Sequence, residues 1–326
     1  MSVRVRAGSR IHIGLADMGF ASPRAFGGVG FMVDRTAADV ELRRASTTAF
    51  VGIDALDEAC TSELAALVAS LTEANGEDVE TIVHCHTLQH VGLGTKTALK
   101  LAVVAAYHRL FEMPADREAQ QRLTGRGGAS GIGIHGFFEG GVLWDAGRPS
   151  DEVEVLRPSG AGFAKSTSPL MMRQSFPSSW RIGLCLPSAA RSHGEDERRF
   201  FEAHTPIPRN QALETMALLY HGVLPAFRQE DLALLASSLA AVSQIGFKRI
   251  EIERCGAAAM NLLGDLGAKG YAAGMSSMGP LVYVIIAAGN ERAADEIAKI
   301  CAVHDVEWLG TFNGLNRGAT ICKADN

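Results

Sequence analysis

The stretch His90–Leu99 reads HVGLGTKTAL and runs directly into KLAVVAAY. It constrains the fold more than any other segment. Ala98–Leu110 has few polar positions, and its length predicts a buried helix rather than a strand. Val79–Cys85 upstream predicts a strand. A strand, a glycine loop and a buried helix therefore follow one another. Gly92 and Gly94 lack β-carbons, so the backbone can approach a ligand closely. The free N–H groups and dipole of a helix start favour an anion there. Thr95 and Thr97 add hydroxyls and Lys96 a cation, with Lys100 on the same helix face. The spacing G-x-x-x-x-G-K-[ST] is absent, so this is not a Walker loop. The competing reading is a strand-to-helix turn that holds nothing.

The rest of the chain narrows the setting. With 326 residues and a net charge of −5, it has the length for two domains and no broad basic face for nucleic acid. A Gly, Pro and Ser-rich stretch from Asp145 to Pro177 marks the junction, placing the domains at 1–160 and 161–326. The six cysteines are scattered without a C-x-x-C, which suits reduced thiols in a cytoplasmic protein. MSVRVRAGSR has no apolar segment of a signal peptide, and no run reaches the ~20 residues of a membrane span. Strands are expected at 3–5, around Ile11 and Ile13, within FGGVGFMVD, after Gly141, in RIGLCLP, in VYVII and at 306–312. Helices are expected near 64–75, stopped by Asn75-Gly76, and at 210–227, 231–245, 250–266 and 291–303. Strands alternating with helices in both halves indicate a two-domain α/β or α+β enzyme.

Five segments in order, SRIHIGLADMG, FGGVGFMVD, HVGLGTKTALKLA, GRGGASGIGIHGFFEGG and GMSSMGPLVYVI, resemble the GHMP kinase superfamily. Within it they resemble the β-ribofuranosylaminobenzene 5'-phosphate synthases. The resemblance implies an α+β GHMP architecture: an N-terminal domain like ribosomal protein S5 domain 2, a ferredoxin-like C-terminal domain, and a cleft between them. It implies decarboxylative joining of phosphoribosyl pyrophosphate to 4-aminobenzoate, early in the pathway to methanopterin-type carriers. Magnesium is the expected cofactor, small molecules the expected partners, and a homodimer the assembly considered. Two departures stand out. Leu88-Gln89-His90 replaces a proline-led start, and Thr95-Lys96 replaces a small Ser-Ser or Ser-Gly pair. Superfamily kinases often carry S-G-I-D where this chain has Ser130-Gly131-Ile132-Gly133. Gly133 has no side chain for general-base work, whereas an attacking aromatic carbon has no proton to remove.

This reading assigns the residues. Arg10, His12 and Asp17 are the catalytic candidates: Arg10 for phosphate or carboxylate, Asp17 for the arene's amino group or a metal, and His12 for a proton or substrate contact. If Arg10–Gly14 is a strand, Arg10 and His12 share a face. Arg24, Gly92, Gly94, Thr95, Lys96, Thr97, Arg126, Ser130, Gly131, Ser276 and Ser277 are the phosphate- and substrate-binding candidates. Taken singly, each charged residue could equally be a solvated or structurally paired group. His84, His86 and His90 lack a matching cluster elsewhere, which argues against zinc. An ATP-dependent kinase, a non-catalytic phosphate binder and a synthase acting on 4-hydroxybenzoate remain open.

Overall fold

The computed structural model describes residues 1–85, 88–114, 116–159, 166–188 and 194–324. Two long strands, β1 (Ser2–Asp17) and β2 (Arg24–Arg44), pair antiparallel from Ser2↔Arg43 to Asp17↔Phe26, with register shifts near Gly8 and between His12 and Gly14. Around them grows an eight-stranded sheet. The strands β3 (Ala49–Val51) and β4 (Val79–Val83) extend one part of β2. The strands β5 (Val142–Asp145) and β6 (Arg148–Pro149) pair with another part of it, and β7 (Leu170–Gln174) adds to β5. The last strand, β12 (Thr320–Ala324), returns to β1.

Four helices belong to this half: α1 (Glu58–Asn75), α2 (Thr95–Leu110), α3 (Arg117–Thr124) and α4 (Ile132–Glu139). Asp57 and Asp116 cap α1 and α3 by accepting from Cys60 N and Ala119 N. Gly76 ends α1 in the left-handed region at φ 67. The apolar run of α2 is buried against Val3, Val5, Val40 and Leu42 of the long strands and Leu64 and Val68 of α1.

The second sheet has four strands in the order β11 (Val306–Phe312), β8 (Trp180–Pro187), β10 (Val282–Ala287) and β9 (Ala272–Met275), all antiparallel. Its helices are α5 (Glu195–His204), α6 (Arg209–Ala217), α7 (Leu224–Gln229), α8 (Leu232–Ser243), α9 (Gly246–Cys255), α10 (Ala257–Ala268) and α11 (Glu291–Val303). Leu262, Leu266 and Ile297 cover one side of this sheet. On the other side, Ile182, Leu184 and Tyr283 share a core with Ile11, Ile13, Val29 and Phe31 of the long hairpin. Phe31 meets Tyr283 edge-on at 5.5 Å. The two halves thus close over one apolar seam.

Most expected elements form, but the helix expected over 250–266 is two, α9 and α10, separated by Gly256 at φ 87. The helix expected over 210–227 is instead α6, a π-helical turn at Leu218–Val223, and α7. The glycine-rich stretch 125–141 contains α4, and α3, α5 and β12 were not anticipated. The 160/161 domain boundary lies outside the described residues. Both β7 and β12 come after it in sequence yet join the first sheet.

Candidate active site

The glycine loop is clamped by its own protein. Arg10 N donates to Leu93 O at 2.9 Å, Leu281 N to Val91 O at 3.2 Å, and Ser276 Oγ to Gly92 O at 2.7 Å. Gly92 has φ 98, and a β-carbon there would lie 2.2 Å from Ser276 O. Gly94 has φ 71, and its β-carbon would lie 3.2 Å from Arg10 Cβ. The sequence reading gave these glycines to ligand approach. Their missing side chains first admit β1 and the Ser276 turn, which aims the start of α2. Thr95 Oγ1 closes the loop by donating to Leu88 O at 2.8 Å.

The first residues of α2 line an outer cavity of about 340 Å³. Lys96 lies on its wall and pairs with Glu63 at 2.8 Å, and Lys100 reaches the same carboxylate at 3.3 Å. An inner cavity of about 90 Å³ adjoins it, and Arg10, Thr97, Arg126, Glu197, Ser277 and Met278 line both. Arg126 Nε donates to Thr97 Oγ1 at 3.1 Å, and Arg10 Nη1 donates to Gly92 O at 3.2 Å. Arg10 Nε is buried without a hydrogen-bond partner, and Arg10 has no ion pair among the described residues. Burial, and then the neighbouring Arg126 charge, lowers the Arg10 guanidinium to about 10. Burial also lowers Arg126. Two recessed cations without a bonded carboxylate among the described residues form a site prepared for an anion.

His12 forms part of the inner wall. Its Nε2 is 3.1 Å from Ser130 Oγ, and Ser130 Oγ donates to Asp145 Oδ2 at 2.9 Å. Asp145 also accepts from Gly131 N, Gly147 N and Ser168 Oγ. Burial raises the Asp145 carboxyl above its ordinary value, and the hydrogen bonds from its donors offset this only in part. With its one proton directed at Asp145, Ser130 accepts from His12, which fixes the proton of His12 on Nε2. Burial, Arg10 and Lys248 hold His12 well below its ordinary value, so the imidazole is neutral.

Sequence reasoning missed the acidic side of the inner cavity. Glu197 of α5 and Glu251 of α9 both line it. Burial raises the Glu197 carboxyl, opposed by Arg126 and reinforced by Glu251. Glu251 is ion-paired to Lys248 at 2.6 Å, with both side chains almost fully buried. Their i,i+3 spacing in FKRIE was a readable signal, but only the fold carries α9 to the cleft. Leu15, Ala129, Ile134, Phe201 and Met278 complete apolar walls.

Other expected site residues are placed elsewhere. Asp17 lines neither cavity. Its carboxylate accepts from Gly19 N and Ala21 N at 3.0 Å and from Ser22 N at 2.8 Å, which holds the turn into β2. Arg24 donates to Ala146 O and Gly147 O at 2.9 and 2.7 Å. Gly131 spends its N–H on Asp145. Ser276 is fully buried between His12 N and Gly92 O, whereas Ser277 reaches the cleft. His84 pairs with Glu41 and His90 with Asp57, both at 2.9 Å; His86 lies outside the described residues. No group of three or more His, Cys, Asp or Glu that could hold a metal occurs among the described residues. No helix among them is long and apolar enough to cross a membrane.

The whole chain superposes on the two-domain fold of the GHMP kinases. Homoserine kinase from Cytophaga hutchinsonii matches with TM-score 0.63 at 15% identity, covering 98% of this chain and 97% of the kinase. Phosphomevalonate kinase from Streptococcus pneumoniae matches with TM-score 0.66 at 11% identity, covering 95% and 98%. At these identities the likeness shows the fold alone. No family model matches the sequence. Full-length relatives do. The β-ribofuranosylphenol 5'-phosphate synthase of Archaeoglobus fulgidus is 33% identical over 294 residues, 89% of this chain and 91% of the relative. That of Methanothermobacter thermautotrophicus is 30% identical over 331 residues, 97% of each chain. The chain belongs to the β-ribofuranosylphenol 5'-phosphate synthase family, a family of enzymes with small-molecule substrates.

Proposed function

We propose that this enzyme joins the anomeric carbon of phosphoribosyl pyrophosphate to the carboxylate-bearing carbon of a para-substituted benzoate, releasing carbon dioxide and pyrophosphate. The observation that carries the reading is the pair of adjoining cavities that share Arg10 and Arg126. The outer one, at the start of α2, takes the pyrophosphate and sugar. The inner one, with apolar walls, takes a single aromatic ring. The C–O bond to pyrophosphate breaks with its electron pair leaving on oxygen, and the ring carbon supplies the pair for the new C–C bond. Positive charge then rests on the para substituent until the electrons of the carboxylate bond restore aromaticity. No proton has to be removed for this sequence, which agrees with Gly133 on the cavity wall.

Glu197 and Glu251 take the role first given to Asp17, lying where a carboxylate can stabilise the cationic para substituent. His12, neutral and held as the Nε2–H tautomer, contributes a fixed polar wall. Magnesium needs only one or two protein carboxylates when phosphates supply the other ligands. Glu63 on the outer wall is the carboxylate that would hold the ion, in exchange for its pairing with Lys96 and Lys100, and the ion would neutralise the leaving pyrophosphate. The relatives' names specify a phenol, the product of 4-hydroxybenzoate; 4-aminobenzoate gives the corresponding aniline, the precursor of methanopterin-type carriers. We place 4-hydroxybenzoate first. Carboxyl-labelled arene plus phosphoribosyl pyrophosphate should release labelled carbon dioxide, faster from 4-hydroxybenzoate. Faster release from 4-aminobenzoate reverses the order of acceptors. ATP turnover without release from either overturns the reading in favour of a kinase.

A further inference from the structure

Gly133 is the second residue of α4 and lines the inner cavity. A β-carbon there would sit in ordinary contact, 3.6 Å from Thr97 Cγ2 and 3.9 Å from Arg10 Nε. No steric reason therefore demands glycine: the position has room for a side chain, and its backbone is not in the left-handed region. What the glycine does is leave Arg10 alone. The buried Nε facing this position has no hydrogen-bond partner among the described residues, and no carboxylate among them bonds the guanidinium. The nearest compensation is the longer-range attraction of Glu197 and Glu251. Resting on the synthase reading of the cleft, we propose that Gly133 is the specificity-determining residue for the arene: by withholding a side chain it leaves Arg10 uncompensated, so that the arene's carboxylate supplies the missing counter-charge.

This orientation is consistent across the cleft. Arg10 stands on the wall common to both cavities, so a carboxylate held there puts its ring carbon at the junction, next to the sugar in the outer cavity. The para substituent then points into the inner cavity, whose lining includes Glu197 and Glu251. A benzoate with an anionic end and a hydrogen-donating para group matches this polarity, whereas a neutral phenol or aniline without the carboxylate does not.

The test uses the full chain saturated with magnesium pyrophosphate and titrated calorimetrically with 4-hydroxybenzoate. Gly133→Ala, Gly133→Asn and Gly133→Asp all replace a poor helix former, and Asp suits a helix's first turn, so folding is expected. Relative to Gly133→Ala, Gly133→Asp should weaken arene binding by about 30-fold or more, because its carboxylate takes the place of the ligand's beside Arg10. The isosteric Gly133→Asn should differ from Gly133→Ala by less than about 3-fold, having no charge to compete. Equal binding by the Asp and Ala variants overturns this inference while leaving the synthase reading in place. Equal losses in the Asn and Asp variants overturn it too, by showing that bulk and not charge decides. A wild-type protein that binds magnesium pyrophosphate but no benzoate overturns the synthase reading, and this inference with it.

Discussion

Lys96 and Arg10 lie in one cleft and meet opposite electrostatic conditions. Lys96, on the outer wall, shares Glu63 with Lys100, and both members of its pair are partly exposed at 21% and 43%. Arg10, on the wall shared with the inner cavity, has one hydrogen bond to a carbonyl, a buried orphan Nε, and another cation as neighbour. The loop lysine is the residue that catches the eye in the sequence, yet its charge is already compensated and screened by water. The charges without a bonded carboxylate among the described residues are the recessed arginines, Arg10 on β1 and its neighbour Arg126. A recessed charge lacking a partner lowers stability until a ligand arrives, so a functional anion site shows where the protein leaves compensation out.

The contrast can be broken most sharply at Arg126, which stands with Arg10 on the shared wall. Arg126→Ala should lower kcat/KM for product formation by about 10²–10³-fold, as expected for losing one preorganised electrostatic group. A near-wild-type value in steady-state assays would place the anion elsewhere. Asp17 offers the next test, being a nearly fully buried charge satisfied by three backbone amides. Asp17→Ala should cost about 2–4 kcal/mol of unfolding free energy while turnover per folded molecule is kept. Denaturant unfolding and active-site-normalised rates measure the two, and a collapse in rate with stability intact would return Asp17 to the chemistry.

His12 extends the contrast to pH. Its folded value lies well below 6.5, so the unfolded chain binds the proton more readily. The stability from keeping it neutral is complete above pH ~6.5 and is lost as pH falls toward the folded value, with a slope of up to about 1.4 kcal/mol per pH unit. His12→Gln should flatten unfolding free energy against pH in that window; an unchanged slope would mean that His12 is not the buried neutral group. The smallest effect belongs to Lys96→Ala, which should weaken phosphoribosyl pyrophosphate binding by about 3-fold, as for a partly exposed, already paired charge. A 100-fold loss by calorimetry would reverse the ranking of the two cations.

How far the sequence discloses this site depends on how local each cause is. The strand, loop and helix around HVGLGTKTAL are readable because glycine freedom and apolar periodicity act over a few residues. So are the stop at Gly76 and the helix over 291–303. Arg10 and His12 follow from alternation along one strand. The acidic wall is not readable: Glu197 sits on a polar helix with little apolar patterning, and Glu251 looks like any helical surface charge until α9 is packed. Asp17 shows the converse. Its segment marks the family well, but the carboxylate's partners are the next few backbone amides, a turn that the type of residue does not disclose. The return of β7 and β12 to the first sheet arises from long-range pairing, which no local pattern announces.

The central claim is that Arg10 is kept without a counter-charge for the sake of the substrate. The most direct measurement is the thermal midpoint of Arg10→Met, with and without saturating 4-hydroxybenzoate, beside the wild-type protein. Methionine removes the unpaired cation and keeps much of the side chain's length. The expected result is a ligand-free midpoint at or above the wild-type value, as for other buried charges replaced by apolar groups, together with loss of the rise that the arene gives the wild type. A lower ligand-free midpoint with the arene-induced rise preserved would contradict it, making Arg10 a structural residue and placing the anion site elsewhere.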